Sequence, residues 1–304
     1  MGEKDWSRGF FAPYYRVFQY SRDNLNSLGH LSLFRLIVFA LLFITTIILC
    51  ILYYIFRIFA AFFFYFILII SILFVSVSPT VGLVVLIILM IILVVVYFLI
   101  LSIFILMIVA LGSVSMGSEI YTARKILDIR MGEKLKIGYI LEGLKSDWKL
   151  YLMKGLRLYL LILFISIFFA LLLVLAILLL VGIVLGIIYL IGEIEIIGAT
   201  IFFIYPIIFL LYIVFYLFAL VVSPIIQYVV DWTAIFMAEG KGALESLREA
   251  VSLLFRKKKL AFKYWLGYIV ITLISSMIYP LSMIMSFILP IASKLFLLIN
   301  ENES

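Results

Sequence analysis

The chain has 304 residues, of which 68% are hydrophobic and only 13% are charged, and its formal net charge is +7. Soluble domains are about 45–50% apolar and about 25% charged, so this composition excludes a water-soluble fold. Its apolar stretches lack the alternation of apolar and polar residues that membrane β-barrel strands have. Since backbone groups in lipid must be hydrogen-bonded within the protein, the sequence predicts an all-α, polytopic transmembrane helical bundle.

Three basic segments separate long stretches without charge. The basic segments are residues 1–35, 119–157 and 231–263. The charge-free stretches are residues 58–118, 158–192, 196–230 and 264–293. Each of these is longer than the roughly 20 apolar residues that cross a bilayer core. Because Lys and Arg beside spans mark the cytoplasmic side, we expect a multi-pass protein of the cell membrane with its basic segments in the cytoplasm. The loop that carries Glu193 and Glu195 then lies outside.

The first apolar region contains one turn signal and one charge. Ser78, Pro79 and Thr80 form a turn signal that predicts an external hairpin and therefore two spans. A helix over residues 36–77 would be about 63 Å long, against a hydrocarbon core of about 30 Å. We therefore expect it to kink, protrude or lie partly in the interface. A break at Arg57 would instead give four shorter spans.

Arg57 is the charge that lies deepest in an apolar stretch. An ionisable residue inside a membrane is by default a candidate functional group, and Arg57 is our candidate functional intramembrane charge. The alternatives are that its side chain reaches the interface along its own alkyl stem, or that it marks a hidden loop.

The later stretches complete the predicted topology. Residues 158–191 and 199–230 each form one span. Residues 264–298 form one span with an external C-terminus, or a hairpin broken at Pro280. The total is about six spans, within a range of five to seven.

Two small motifs in these later stretches predict packing or anchoring. Gly182 and Gly186 have the spacing of small residues that pack transmembrane helices together. The alternative is a chance spacing, because the apolar stretches contain many glycines. Asp231 and Trp232 stand at the end of a span, where Trp favours the membrane interface, so we interpret the pair as an anchor.

A sequence unit recurs along what we interpret as a single membrane domain, residues 1–304. In this unit an amphipathic helical pattern is followed by a basic hinge, a span, an outside turn and a second span. The units are residues 1–117, 118–231 and 232–304, and the last is shortened. Amphipathic helices of this kind lie at the cytoplasmic interface, and their basic residues are candidate contacts for anionic lipid headgroups. These candidates are Arg256, Lys257, Lys258, Lys259, Lys145 and Lys149. The alternative is a set of interfacial or bundle-capping helices without a specific ligand.

The third unit resembles a known group of proteins. Residues 249–254 read Glu-Ala-Val-Ser-Leu-Leu, and a basic run follows at residues 256–259. This segment is similar to one in DUF4013-type prokaryotic membrane proteins and in the membrane domain attached to some glycerophosphoryl diester phosphodiesterases. The earlier copy, at residues 142–146, departs from that pattern. The resemblance implies a polytopic domain of about six spans without an established activity. The soluble catalytic domain of the phosphodiesterases has no counterpart here.

No motif in the sequence predicts catalysis. Cys50 and His30 are the only Cys and His, so an intrachain disulfide and a His/Cys zinc site are excluded. Phosphate-binding Gly-Lys-Ser/Thr and serine nucleophile-elbow motifs do not occur. We therefore predict no catalytic residues, no cofactor and no metal.

Two functions remain as hypotheses. The first is a non-enzymatic accessory or organising component of the cell membrane or of a membrane complex. The second is a transporter or permease for an unknown substrate, favoured by the repeat, by Arg57 and by proline-broken spans. A lipid-acting enzyme is less favoured, because it would need clustered acids or His near the interface. The expected partners are the bilayer, its anionic cytoplasmic headgroups, and a protein partner or a second copy. The juxtamembrane position of the basic segments already explains their charge, so no nucleic acid is expected.

Overall fold

A computed structural model describes residues 10–191, 209, 213, 220–277 and 279–301. Within these residues the chain forms helices and no strand. The helices are α1 (Ala12–Asp23), α2 (Leu25–Val77), α3 (Pro79–Arg130), α4 (Ile137–Ile191), α5 (Leu220–Ala238), α6 (Ala243–Arg256), α7 (Lys258–Met277) and α8 (Tyr279–Ile299). All except α1 and α6 are long and apolar enough to cross a membrane. The all-α, multi-pass bundle of about six spans is therefore confirmed.

Helices α2 and α3 form one long hairpin. Ser78 has an extended backbone, with φ −155° and ψ 119°, and Pro79 begins α3. A residue before proline is disfavoured in the helical region, and proline suits the first helical position, so the chain turns where the sequence predicts. Helix α2 passes through Arg57 without a break. The region consequently has two helices rather than the four spans that a break would give.

Both α3 and α5 end in the same glycine-based cap. Gly132 and Gly240 have φ values of 95° and 110°, a left-handed conformation that glycine adopts without steric cost. After each glycine the next backbone N–H turns back to a carbonyl of the last helical turn, from Glu133 to Asp128 and from Lys241 to Phe236. Such a cap satisfies carbonyls that the helix end would otherwise leave unpaired.

The two units differ after this shared cap. In the second unit the amphipathic segment and the span form one continuous helix, α4. In the third unit the chain breaks at Lys257 between α6 and α7. The predicted basic hinge is therefore present in the third unit and absent from the second. The repeat as a whole stays a prediction, and the predicted loop around Glu193 and Glu195 lies outside the described residues.

Helix α4 packs on α3 through two glycines. A Cβ on Gly155 would lie 2.1 Å from the Ser113 carbonyl oxygen, and one on Gly117 would lie 2.7 Å from the Tyr151 carbonyl oxygen. The backbones touch here because neither glycine carries a side chain. At Gly182, which the sequence singles out for packing, no described atom would lie within 4 Å of an added Cβ. Gly186 falls among residues whose surroundings are not described.

The last apolar stretch is two helices, α7 and α8, packed against each other. Of the two alternatives for this stretch, the hairpin is therefore confirmed and the single span is wrong, while the side of the membrane on which the C-terminus lies stays a prediction. At the C-terminal end of α8, Glu301 pairs with Arg130 at 3.3 Å and accepts a hydrogen bond from Lys257 through its carbonyl oxygen. Asn300 also donates to the Pro13 carbonyl at 3.3 Å. The C-terminus therefore lies at the end of the bundle where the basic segments meet.

Candidate functional site: a buried ion network

Four helices bring one charged side chain each to a common interior point. The side chains are Arg35 on α2, Glu119 on α3, Asp231 on α5 and Lys294 on α8. We call these four residues the ion network. In the sequence, each of the four stands at the edge of a long apolar stretch. In the fold, their side chains point into the bundle within a few helical turns of its basic end.

Lys294 is the centre of the ion network. Its Nζ lies 2.6 Å from Glu119 Oε2 and 2.9 Å from Asp231 Oδ1, and the Lys294 side chain is fully buried. A third hydrogen bond goes to the carbonyl oxygen of Pro290, at 3.3 Å. All three protons of the ammonium group therefore have an acceptor.

Arg35 holds the other side of Glu119. Its guanidinium donates to Glu119 Oε1 and, at 2.8 Å, to the Ser118 hydroxyl. The residue is only 9% exposed, and its Nε has no hydrogen-bond partner among the described residues. The Nε–H group of Arg35 is thus a buried donor without an acceptor among the described residues.

Asp231 is held by two further neutral donors. The Tyr264 hydroxyl of α7 donates to its Oδ2 at 2.8 Å, and the Gln227 amide donates to its Oδ1 at 3.1 Å. Aromatic rings cover this side, because Tyr264 contacts Tyr228 and Phe296 with ring centroids 5.2 and 6.1 Å apart. Tyr264 adds α7 to the helices that the ion network joins.

The network balances its own charge. Two cations face two anions, so the described group has no net charge. Removing one member of such a buried group leaves a partner unpaired and typically costs about 3–5 kcal/mol. The ion network therefore makes the relative placement of α2, α3, α5 and α8 specific.

A cleft of about 390 Å³ begins at Arg35 and Glu119 and runs between α2, α3, α7 and α8. We call it the hydroxyl cleft, because many of the side chains that line it belong to Ser or Thr. They include Ser115, Ser118, Thr272, Ser275, Ser286 and Ser293. Several of these hydroxyls donate to carbonyls of their own helix, Ser275 to Thr272 at 2.9 Å and Ser286 to Met283 at 2.6 Å. Their oxygen lone pairs remain available as acceptors.

Arg57, the sequence-based candidate, is not part of this site. It is exposed on the surface of α2, 22 residues beyond Arg35, which is about 33 Å along the helix. Among the described residues it has neither an ion pair nor a side-chain hydrogen bond. The functional role of Arg57 stays a prediction. The hydroxyl cleft is lined by Arg35 and not by Arg57.

The candidate headgroup contacts lie at the basic end of the bundle. Arg256, Lys258 and Lys259 are exposed around the break between α6 and α7, whereas Lys257 is half-buried against Glu301. On α4, Lys145 and Lys149 are also exposed. Their role as lipid contacts stays a prediction. Elsewhere, no three His, Cys, Asp or Glu side chains within the described ranges form a group that could hold a metal ion.

The interpretation of Asp231 and Trp232 as an interfacial anchor is wrong. Trp232 is 1% exposed and stacks on Phe236 with ring centroids 5.4 Å apart, so it faces protein rather than the membrane interface. Sequence reasoning missed the ion network because its members resemble the flanking charges that set topology. One available signal was Lys294, a lone cation in the last apolar stretch, which needs an acid if it is buried.

Comparisons with protein-family models, with curated proteins and with solved structures return no match for this chain.

Proposed function

We propose that this chain is a non-enzymatic, multi-pass protein of a cell membrane that serves as an accessory or organising component of a membrane complex. The observation that carries the proposal is the surplus apolar length of α2 and α3. The buried acids and bases of the ion network are engaged with one another, which favours a structural over a catalytic role for them.

The surplus is measured against the α7–α8 hairpin. Helix α7 has 20 residues, about 30 Å, which equals the hydrocarbon thickness of a bilayer. Leu42 of α2 lines the hydroxyl cleft together with Thr272, near the far end of α7. From Leu42, α2 continues for 35 residues to Val77, which is about 52 Å more.

This extension is apolar and exposed. Phe59, Phe62 and Tyr65 are 68%, 73% and 65% exposed on α2, and Phe98 is 62% exposed on α3. An upright bilayer that covers α7 and α8 would leave these side chains beyond its far face. Continuous apolar surface of this kind marks an interaction site. A protein partner or a second copy of this chain would cover it.

Photo-crosslinking in native membranes tests this proposal. A diazirine-bearing residue is placed at Phe62, which is exposed, and at Ile67, which is 1% exposed on the same helix. We expect a discrete protein adduct from position 62 and none from position 67. Diazirines also capture lipid, so an adduct with lipid alone at position 62 would contradict the proposal.

We further propose that the basic end lies in the cytoplasm and binds anionic headgroups, supported by the exposure of Arg256, Lys258 and Lys259. Native mass spectrometry measures the retained lipid. Replacing these three residues with Gln is expected to reduce the number of anionic lipids that stay bound. Glu245→Gln, on the exposed side of α6, is the control and should lose none. Equal retention in both variants would contradict headgroup binding.

A permease is the second candidate, and the hydroxyl cleft is the observation that favours it. Transporters often bind polar substrates near the membrane midplane, at helices that are broken or interrupted, and α8 carries Pro290 beside this cleft. Uptake into proteoliposomes tests the function. Saturable uptake that Ser275→Ala weakens supports a permease, and the absence of saturable uptake of small polar solutes contradicts it.

A further inference from the structure

We propose that the hydroxyl cleft is a binding site for a small, neutral polyol. The claim concerns binding within the membrane-embedded bundle. It holds whether or not the chain moves the ligand across the bilayer, and it does not depend on the assembly through α2 and α3.

The first support is the unused donor of Arg35. The side chain lines the cleft and is 9% exposed. Its Nη2 pairs with Glu119 and its Nη1 donates one of two protons to Ser118, so the second Nη1 proton has no partner among the described residues. A buried donor without a partner costs about 1–3 kcal/mol. A ligand oxygen, or water in its absence, would satisfy it.

The second support is the excess of acceptors on the other walls. Ser275 and Ser286 donate their protons to their own helices, so each hydroxyl oxygen keeps lone pairs that can accept a hydrogen bond. Pro290 also lines the cleft and has no N–H, so it cannot make the helix hydrogen bond to the carbonyl of Ser286, four residues earlier. The cleft thus requires a ligand with several donors and at least one acceptor.

The third support is the charge balance. The charged residues that line the cleft are one cation and one anion, Arg35 and Glu119, which form an ion pair with each other. A ligand with net charge would lose its hydration without gaining a counter-charge. A polyol satisfies all three conditions, because each hydroxyl both donates and accepts and the molecule is neutral. The volume of about 390 Å³ is within the range of small-molecule sites.

The test uses the full-length protein in lipid nanodiscs, with Cys50→Ser removing the single native thiol. Ser286→Cys places a thiol in the cleft. Ser102→Cys is the matched control, because Ser102 is likewise exposed and donates to its own helix, at Phe98, but lies on the apolar face of α3. A neutral hydroxyethyl maleimide reacts with the thiolate, which forms only where water reaches the sulfur.

We expect rapid labelling at position 286 and very slow labelling at position 102. Glycerol or erythritol should slow labelling at position 286 about tenfold once the polyol concentration is about ten times its Kd. Choline and glycerol phosphate, which carry net charge, should not slow it. Adding Ser275→Ala, which removes a cleft hydroxyl but leaves the ion network intact, should weaken the protection by the polyol.

Three results would overturn the proposal. One is labelling at position 286 as slow as at position 102, which would mean a dry, lipid-filled cleft. Another is equal protection by the charged solutes. The last is equal slowing by polyol at Glu133→Cys, an exposed loop position outside the cleft, which would mean a solvent effect. None of these bears on crosslinking at position 62, so the binding claim and the assembly claim fail independently.

Discussion

Lys294 and Asp231 form an ion pair of 2.9 Å between side chains that are both fully buried, and they come from different membrane-spanning helices. Neither lies in the middle of a long apolar stretch, where a functional charge is usually sought. They mark the level at which α5 and α8 meet, and through Glu119 and Arg35 they fix α3 and α2 at the same level. The ion pairs therefore join α2, α3, α5 and α8 at one level of the bundle.

The glycine contact between α3 and α4 should be sensitive to a single methyl group. Gly155→Ala would place its Cβ 2.1 Å from the Ser113 carbonyl oxygen, so the helices must separate, and we expect a loss of about 1–3 kcal/mol. Gly182→Ala is the matched control, because no described atom lies within 4 Å of the new Cβ. There the higher helix propensity of Ala should leave stability unchanged or slightly raised. Thermal unfolding in detergent measures both. Equal melting temperatures would contradict the close approach.

The topology predicts that both ends of the α7–α8 hairpin are accessible from one side. In the Cys50→Ser background, Lys258→Cys and Glu301→Cys should react with a membrane-impermeant maleimide added to the same side. Ser78→Cys, in the turn between α2 and α3, should react only from the other side.

If Glu301→Cys reacts with maleimide added on the side that labels Ser78→Cys, the chain after Lys258 crosses the membrane once, and the hairpin is contradicted. Labelling of all three thiols in sealed vesicles after permeabilisation is the control for reactivity.

The same substitution at two arginines should have different effects. Arg35→Leu leaves Glu119 with only one of its two cations, and we expect a loss of about 3–5 kcal/mol. Arg57→Leu removes an exposed charge that has no ion pair within the described residues, and stability should change by less than about 0.5 kcal/mol. Chemical or thermal unfolding distinguishes the two. A large loss for Arg57→Leu would show a partner that the structure does not account for.

Tyr14 should contribute to holding helix α1 on the bundle. The Tyr14 hydroxyl donates to the Lys263 carbonyl, and its ring lies 5.1 Å from that of Phe296. Tyr14→Phe keeps the ring and should cost about 0.5–1.5 kcal/mol for the lost hydrogen bond. Burial raises the pKa of Tyr14 above its ordinary value of 10.0. The hydroxyl's contribution is therefore fully present below pH 10 and is lost only as pH rises through the raised pKa.

Unfolding at about pH 7 and about pH 9, both below the ordinary tyrosine pKa, should accordingly show the same difference between the two proteins. A difference that vanishes at the higher pH would contradict the protonated, donating hydroxyl.

Sequence patterns predicted the helices better than their contacts. Ser78 and Pro79 identified the hairpin because a residue before proline favours an extended backbone. For residues 264–298 the sequence leaves one span and a hairpin broken at Pro280 open, because the pairing of Glu301 with Arg130 cannot be read from the sequence. Which charges pair could not be predicted, because Arg35 and Glu119 are 84 residues apart in sequence and pairing at that separation depends on the packing of whole helices.

A double-substitution cycle on Lys294 and Asp231 tests the buried ion network most directly. Lys294→Met leaves Glu119 and Asp231 without their shared cation, and we expect it to lower stability by about 3–5 kcal/mol. Adding Asp231→Asn removes the unpaired charge while keeping an acceptor for Tyr264, so the double variant should be more stable than Lys294→Met alone. Lys149→Met, at an exposed position, is the control and should have little effect. Melting temperatures in nanodiscs report the cycle: partial recovery in the double variant is the predicted result, and strictly additive losses would contradict the network.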